Sequence, residues 1–151
     1  MAKKKACKQA SGISGNLYYL IVVYLSGRNQ YVEIEGQRSI EAEVRFGVPQ
    51  GSLLGPRLFS IYVNDLPEVP CCGNLKMFAD DTTSYCSGDS VDGVCVKIQS
   101  SLEEIAKWCN RNCLTIHPDK TEVMLLTRIN FIGPLRPVKL GDNVINFSEI
   151  Y

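Results

Sequence analysis

The mainly apolar run Leu75–Ala79 ends in two adjacent aspartates, Asp80 and Asp81, followed by the polar cluster Thr82-Thr83-Ser84 and then Tyr85-Cys86. A short apolar run bounded by polar residues marks a strand, and apolar residues resuming after the cluster mark its return. The spacing therefore predicts a β-hairpin over about 75–86, turned at Thr82-Thr83-Ser84, with both aspartates at its tip. Two short carboxylates at a strand end are hard oxygen ligands suited to Mg²⁺. The chemistry they suit is metal-assisted phosphoryl transfer, in which bound ions stabilise the attacking and leaving oxygens. Taken alone, such a pair is more often a solvated turn than a metal site.

About thirty residues upstream stands Phe46-Gly47-Val48-Pro49-Gln50-Gly51-Ser52-Leu53-Leu54-Gly55-Pro56. Gly47 and Gly51 bracket Pro49-Gln50, leaving the backbone free of bulk at two points and stiff between them. Such a loop can lie close against a base pair or sugar. Ser52 is a suitable N-cap for a helix over 52–66, in which Leu54, Leu58, Ile61, Tyr62 and Asp65 recur at helical spacing. An ordinary Gly/Pro turn before a core helix explains this segment on its own.

The remaining elements follow from pattern. Residues 1–15 read as a disordered basic tail containing Lys3-Lys4-Lys5 and Lys8, a solvated tail or a nuclear address. Tyr18 to Val44 suggest a short helix or strand leading into a hairpin turned at Glu35-Gly36-Gln37. Glu33, Glu35, Glu41 and Glu43 alternate there with apolar residues and form its wet face. Ser90 can cap a helix over 91–112 whose Val91, Val94, Cys95, Ile98, Leu102, Ile105 and Cys109 make one apolar stripe. A strand pair is expected over 114–126 around Pro118-Asp119, and a small hairpin over 138–147 turned at Gly141-Asp142-Asn143. Helices segregated to one face of an antiparallel sheet make an α+β domain over 16–151, with 45% hydrophobic residues available for its core.

Several function classes fit poorly. Sixteen basic and sixteen acidic residues give a net charge of zero, where a protein gripping a nucleic acid duplex by its phosphates would show a basic excess. The apolar stretch Leu17–Leu25 contains three tyrosines and is too short to span a bilayer as a helix. It lacks a small-x-small cleavage site, which argues against secretion. The seven cysteines form no CxxC pair and read as reduced thiols of an intracellular protein, in nucleus or cytoplasm. Cys109, Cys113 and His117 recur every four residues, but Pro118 ends any helix that would align them for zinc.

Ordered motifs carry a resemblance over most of the chain from about Tyr24 onward. They include Tyr24-Leu25-Ser26-Gly27-Arg28-Asn29-Gln30-Tyr31-Val32, Gly47-Val48-Pro49-Gln50-Gly51-Ser52, Leu54-Gly55-Pro56, Ile61-Tyr62-Val63-Asn64-Asp65-Leu66, Phe78-Ala79-Asp80-Asp81-Thr82, Trp108-Cys109 and Lys120-Thr121-Glu122. Together these resemble the reverse transcriptase (RNA-directed DNA polymerase) domain of LINE-type, non-LTR retrotransposons of the jockey-like kind. The resemblance implies a polymerase palm with Asp80 and Asp81 as catalytic, Mg²⁺-binding carboxylates. It implies that Pro49, Gln50, Gly51 and Ser52 lie against the template and the incoming nucleotide, and that Lys120 protonates departing pyrophosphate. A turn cation paired with Asp119 or Glu122 is the simpler account of Lys120. His117 stands where the family usually shows asparagine and reads as a turn residue. The implied partners are an RNA template, a DNA primer and deoxynucleoside triphosphates.

One departure is an absence. These polymerases use a third carboxylate from an earlier strand, and this chain has no aspartate before Asp65, itself a helix-end residue. The expectation is a palm without fingers or thumb, inactive by itself. The alternatives are a non-catalytic remnant that binds nucleic acid or a protein partner, and a translated element fragment without function.

Overall fold

A computed structural model describes residues 13–128 and 133–150, which fall into two compact units divided between Asn64 and Asp65. The tail expected over 1–15 lies outside the described residues as far as position 12, and a helix already begins at Gly15.

In the first unit, the uncharged stretch beyond Ser14 forms α1, Gly15–Leu25. It stops where the Ser26 N–H bonds back to Val23 O at 3.1 Å and Gly27 turns left-handed at φ 63°. Ile21 and Leu25 are buried with Leu58, and Tyr18, Val22, Tyr24 and Val48 pack around them. Leu17, Tyr19, Leu20 and Val23 are exposed on the same helix.

A narrow antiparallel ribbon follows, in which β1 (Asn29–Gln30) pairs with β4 (Ala42–Glu43) and β2 (Glu33–Ile34) with β3 (Gln37–Arg38). The register Ile34↔Gln37 leaves Glu35-Gly36 as a two-residue turn. Both residues have positive φ, 50° and 77°, the type I′ geometry that matches strand twist. The predicted hairpin is present, one residue tighter at its turn, with Gln37 in β3. The four glutamates are exposed, and so are their neighbours Val32 and Ile34.

The helix predicted over 52–66 is shorter: α2 spans Gly55–Tyr62 and ends at Val63. Pro67 explains the end, because a proline ring clashes with the carbonyl four residues earlier. Leu66–Glu68 form a separate 3₁₀ turn. Ser52 is not the N-cap, which falls on Leu54; its hydroxyl instead accepts the Gly55 N–H at 3.0 Å and donates to Pro49 O at 2.7 Å.

In the second unit, β5 (Asn74–Phe78) and β6 (Asp81–Tyr85) form a hairpin, and α3 (Val91–Arg111) runs beside it. The Ser90 hydroxyl caps α3 by accepting the Gly93 N–H at 3.2 Å, as its position predicts. Asp92 in the first turn and Arg111 in the last complement the helix dipole. Cys95, Ile105 and Cys109 of the predicted stripe are buried, joined by Ser101 and Trp108. Burial pushes the Cys109 thiol above the ordinary value of 9.0, and burial is also the main cause of the rise at Cys71, Cys86 and Cys95. These thiols stay neutral at physiological pH and serve as small packing groups.

The strand pair predicted over 114–126 does not form. Residues 114–117 carry no strand, and Pro118–Lys120 are a 3₁₀ turn, since Pro118 has no N–H for a ladder. β7 (Glu122–Leu125) pairs in parallel with β9 (Asn143–Ile150), and β8 (Val138–Leu140) pairs antiparallel with β9. The parallel pairing follows from topology: β8 reverses the chain before β9, so β9 returns in the direction of β7. The β8–β9 hairpin turns at Gly141-Asp142, with Gly141 at φ 61°. Val138 and Ile145 are fully buried, and the Gln99 amide bridges α3 to β8 by accepting the Lys139 N–H at 2.7 Å and donating to Lys139 O at 3.1 Å.

The α+β class holds, with three helices among the described residues. The strands there form four small sheets, one of them containing a parallel pair, in place of one continuous antiparallel sheet. No helix among the described residues is long and apolar enough to cross a membrane.

Candidate active site

The β5–β6 hairpin positions Asp80 and Asp81. The register Phe78↔Asp81 leaves only Ala79-Asp80 as its loop, so Asp81 opens β6, and Thr82, Thr83 and Ser84 are strand residues instead of the predicted turn. Two-residue hairpin loops need positive φ, and Ala79 supplies it at 53°, a region that costs a residue with a Cβ roughly 1–2 kcal/mol. Backbone strain of this kind persists where surrounding structure holds it in place. Phe78, Ala79, Asp80 and Asp81 are all exposed.

The surrounding structure is the root of the hairpin. A Cβ on Gly73 would lie 2.2 Å from Tyr85 O, so only glycine lets the strands close there. The buried Ser101 hydroxyl accepts the Cys72 N–H at 3.0 Å and donates to Lys97 O at 3.0 Å. On the other strand, Lys97 Nζ donates to Ser87 O at 2.9 Å and Cys86 Sγ lies 3.8 Å from Val94 O. Both ends of the hairpin are thus fixed to residues 94–101 of α3, and the tip carrying the carboxylates extends free of them.

Lys120 belongs to the same unit, at the end of the 3₁₀ turn before β7. Its N–H bonds to His117 O at 3.1 Å and its side chain is exposed. Among the described residues it makes no ion pair; the Asp119 carboxylate lies instead 3.8 Å from His117 Nδ1. Cys109 is buried while Cys113 and His117 are exposed, so these three share no face.

Pro49, Gln50, Gly51 and Ser52 belong to the first unit. Gly47 and Gly51 both stand at φ 76°, which only glycine adopts readily, and Gln50 between them is exposed. Gly55 is buried, with Ser52 Oγ 2.8 Å and Pro49 O 3.1 Å from where its Cβ would be. Arg28, which pattern reading left without a role, donates through Nη2 to Gly47 O at 2.7 Å and Phe46 O at 3.5 Å, and through Nε to Leu25 O at 3.3 Å. The only signal in the sequence is its place in the Ser26-Gly27-Arg28 stretch after an apolar helix.

As a donor set for a divalent ion, Asp80 and Asp81 offer two adjacent solvent-facing carboxylates. No group of three or more His, Cys, Asp or Glu side chains that could hold a metal occurs among the described residues. The pair fits a hard cation that keeps several waters, and does not complete a two-ion centre.

Residues 2–136 match the family described as reverse transcriptase (RNA-dependent DNA polymerase). A probable RNA-directed DNA polymerase from transposon BS of Drosophila melanogaster is 34% identical over 136 residues, covering 85% of this chain and 15% of that protein. The RNA-directed DNA polymerase from mobile element jockey of Drosophila funebris is 33% identical over 155 residues, covering 95% of this chain and 16% of its own length. A probable RNA-directed DNA polymerase from transposon X-element of Drosophila melanogaster is 35% identical over 116 residues, or 72% of this chain and 12% of that protein. The chain thus spans less than a fifth of these relatives. No solved structure matches it.

Proposed function

The chain belongs to the reverse transcriptase (RNA-dependent DNA polymerase) family, and we propose that it supplies the palm of an RNA-directed DNA polymerase of a jockey-like mobile element. The observation that carries this reading is the exposed Asp80-Asp81 pair on a strained two-residue hairpin rooted in α3. In this reading the two carboxylates hold Mg²⁺, which when bound neutralises charge on the reacting phosphates. Pro49, Gln50, Gly51 and Ser52 offer a firm, low-profile backbone against the template base and the incoming nucleotide. The exposed Lys120 ammonium, which makes no ion pair among the described residues, would donate a proton to a leaving pyrophosphate.

In this reading Asp80 and Asp81 are two of the three carboxylates a two-ion centre uses, and no aspartate stands before Asp65 to supply the other. With the metal-binding set incomplete, the 151-residue chain alone is expected to leave a primer unextended. Its neutral net charge gives the chain little electrostatic hold on a phosphate backbone.

The test joins this chain to the flanking polymerase segments of a jockey-like relative and measures extension of a DNA primer on an RNA template. Extension by the joined protein is expected, with a loss of at least about a hundredfold on Asp81→Ala, since positioning and electrostatics supply nearly all of phosphoryl-transfer catalysis. A folded, inactive joined protein, or activity indifferent to Asp81→Ala, contradicts the reading.

A further inference from the structure

We propose that Arg28 is a positioning residue: its guanidinium sets the form of the 46–51 loop in which Gln50 is presented to a template strand. The proposal rests on the reading of Pro49–Ser52 as the template loop and adds what holds that loop in shape.

Three carbonyls surround one side chain. Nε donates to Leu25 O in the last turn of α1, and Nη2 donates to the consecutive carbonyls of Phe46 and Gly47. Gly47, at φ 76°, turns the chain at the point where those two carbonyls meet a single nitrogen. The backbone of Arg28 contributes as well, since its carbonyl accepts the Val44 N–H at 2.8 Å and extends the β1–β4 pairing toward the loop. Leu25 is itself buried with Ile21 and Leu58, so the guanidinium ties the loop entrance to the core of the first unit. Ser52 braces the loop exit through Pro49 O and Gly55 N, and Val48 packs on the same core between the two braces.

The chemistry favours arginine specifically. Among the described residues no carboxylate pairs with Arg28, so its partners are backbone dipoles, and a rigid planar fork can serve carbonyls on two separated segments at once. A lysine ammonium at the end of a flexible stem is a point donor and cannot reproduce that span. An arginine kept only for its charge would tolerate the exchange.

The test compares the 151-residue chain with Arg28→Lys, Arg28→Met and Gln50→Ala, reading amide hydrogen exchange by segment and binding to a short RNA–DNA heteroduplex at low salt. The expected result is exchange about tenfold faster in segment 46–52 for both Arg28 variants, the scale of losing hydrogen bonds from a charged donor, with α3 unchanged. Heteroduplex binding should weaken in both by as much as in Gln50→Ala. Full protection of the loop in Arg28→Lys overturns the proposal, as does global unfolding in both Arg28 variants, which would make the residue a general stabiliser. A loosened loop with undiminished binding, while Gln50→Ala weakens binding, overturns it and leaves the template-loop reading standing. If Gln50→Ala has no effect on binding either, that reading fails and the proposal fails with it.

Discussion

Ala79 and Gly73 govern the candidate site through backbone conformation alone. Ala79 occupies φ 53° without a glycine's freedom, and Gly73 sits where any Cβ would run into Tyr85 O. Replacing Ala79 by glycine removes the steric cost of the left-handed conformation but adds unfolded-state entropy, so Ala79→Gly should stabilise the chain by about 0.5–1 kcal/mol. Urea unfolding measures it; a loss of stability would show that the alanine conformation is not strained. The polar cluster Thr82-Thr83-Ser84 reads as a turn, whereas the chain turns three residues earlier, from Ala79, an alanine for which sequence gives no positive-φ signal. Asp80 and Asp81 were legible nonetheless, because a hairpin over about 75–86 leaves them at its end under either register.

Among the elements, α3 was the most legible. Ser90 as cap and a stripe from Cys95 to Cys109 agree with the observed helix, since capping and period-3.6 burial are local signals. Ser101 was not legible, because a buried serine interrupts no apolar pattern and its value lies in one long-range bond to Cys72. The parallel β7–β9 pair was missed for a related reason: strand partners distant in sequence leave no local trace, and Pro118 suggested a hairpin where a 3₁₀ turn forms. The length of α2 turned on Pro67, which overrode the helical spacing that ran on to Asp65. Ser101→Ala should cost about 0.5–1.5 kcal/mol, the net worth of its hydrogen bond to the Cys72 N–H, because Cys72 is exposed and water can reach the freed donor. Thermal unfolding gives the loss, and exchange at the hairpin amides should rise with it; a neutral substitution would mean the hairpin root is held by Gly73 and the Cys86 contact alone.

Across the whole molecule, the residues that match the family are spread over both compact units. Family membership rests on residues 2–136 as a set, and the two compact units each carry part of the implied machinery: the Pro49–Ser52 loop in one, Asp80, Asp81 and Lys120 in the other. The net charge is zero, and Leu17, Leu20 and Val23 on α1 are exposed apolar residues. The central claim is that the hairpin tip is where the divalent ion is held. Its most direct measurement is paramagnetic line broadening by substoichiometric Mn²⁺, standing in for Mg²⁺, in the NMR spectrum of the 151-residue chain. Broadening should centre on the amides of Ala79, Asp80, Asp81 and Thr82, be reversed by excess Mg²⁺, and be lost in Asp80→Asn. Broadening centred on another part of the chain, or unchanged by Asp80→Asn, would contradict the account.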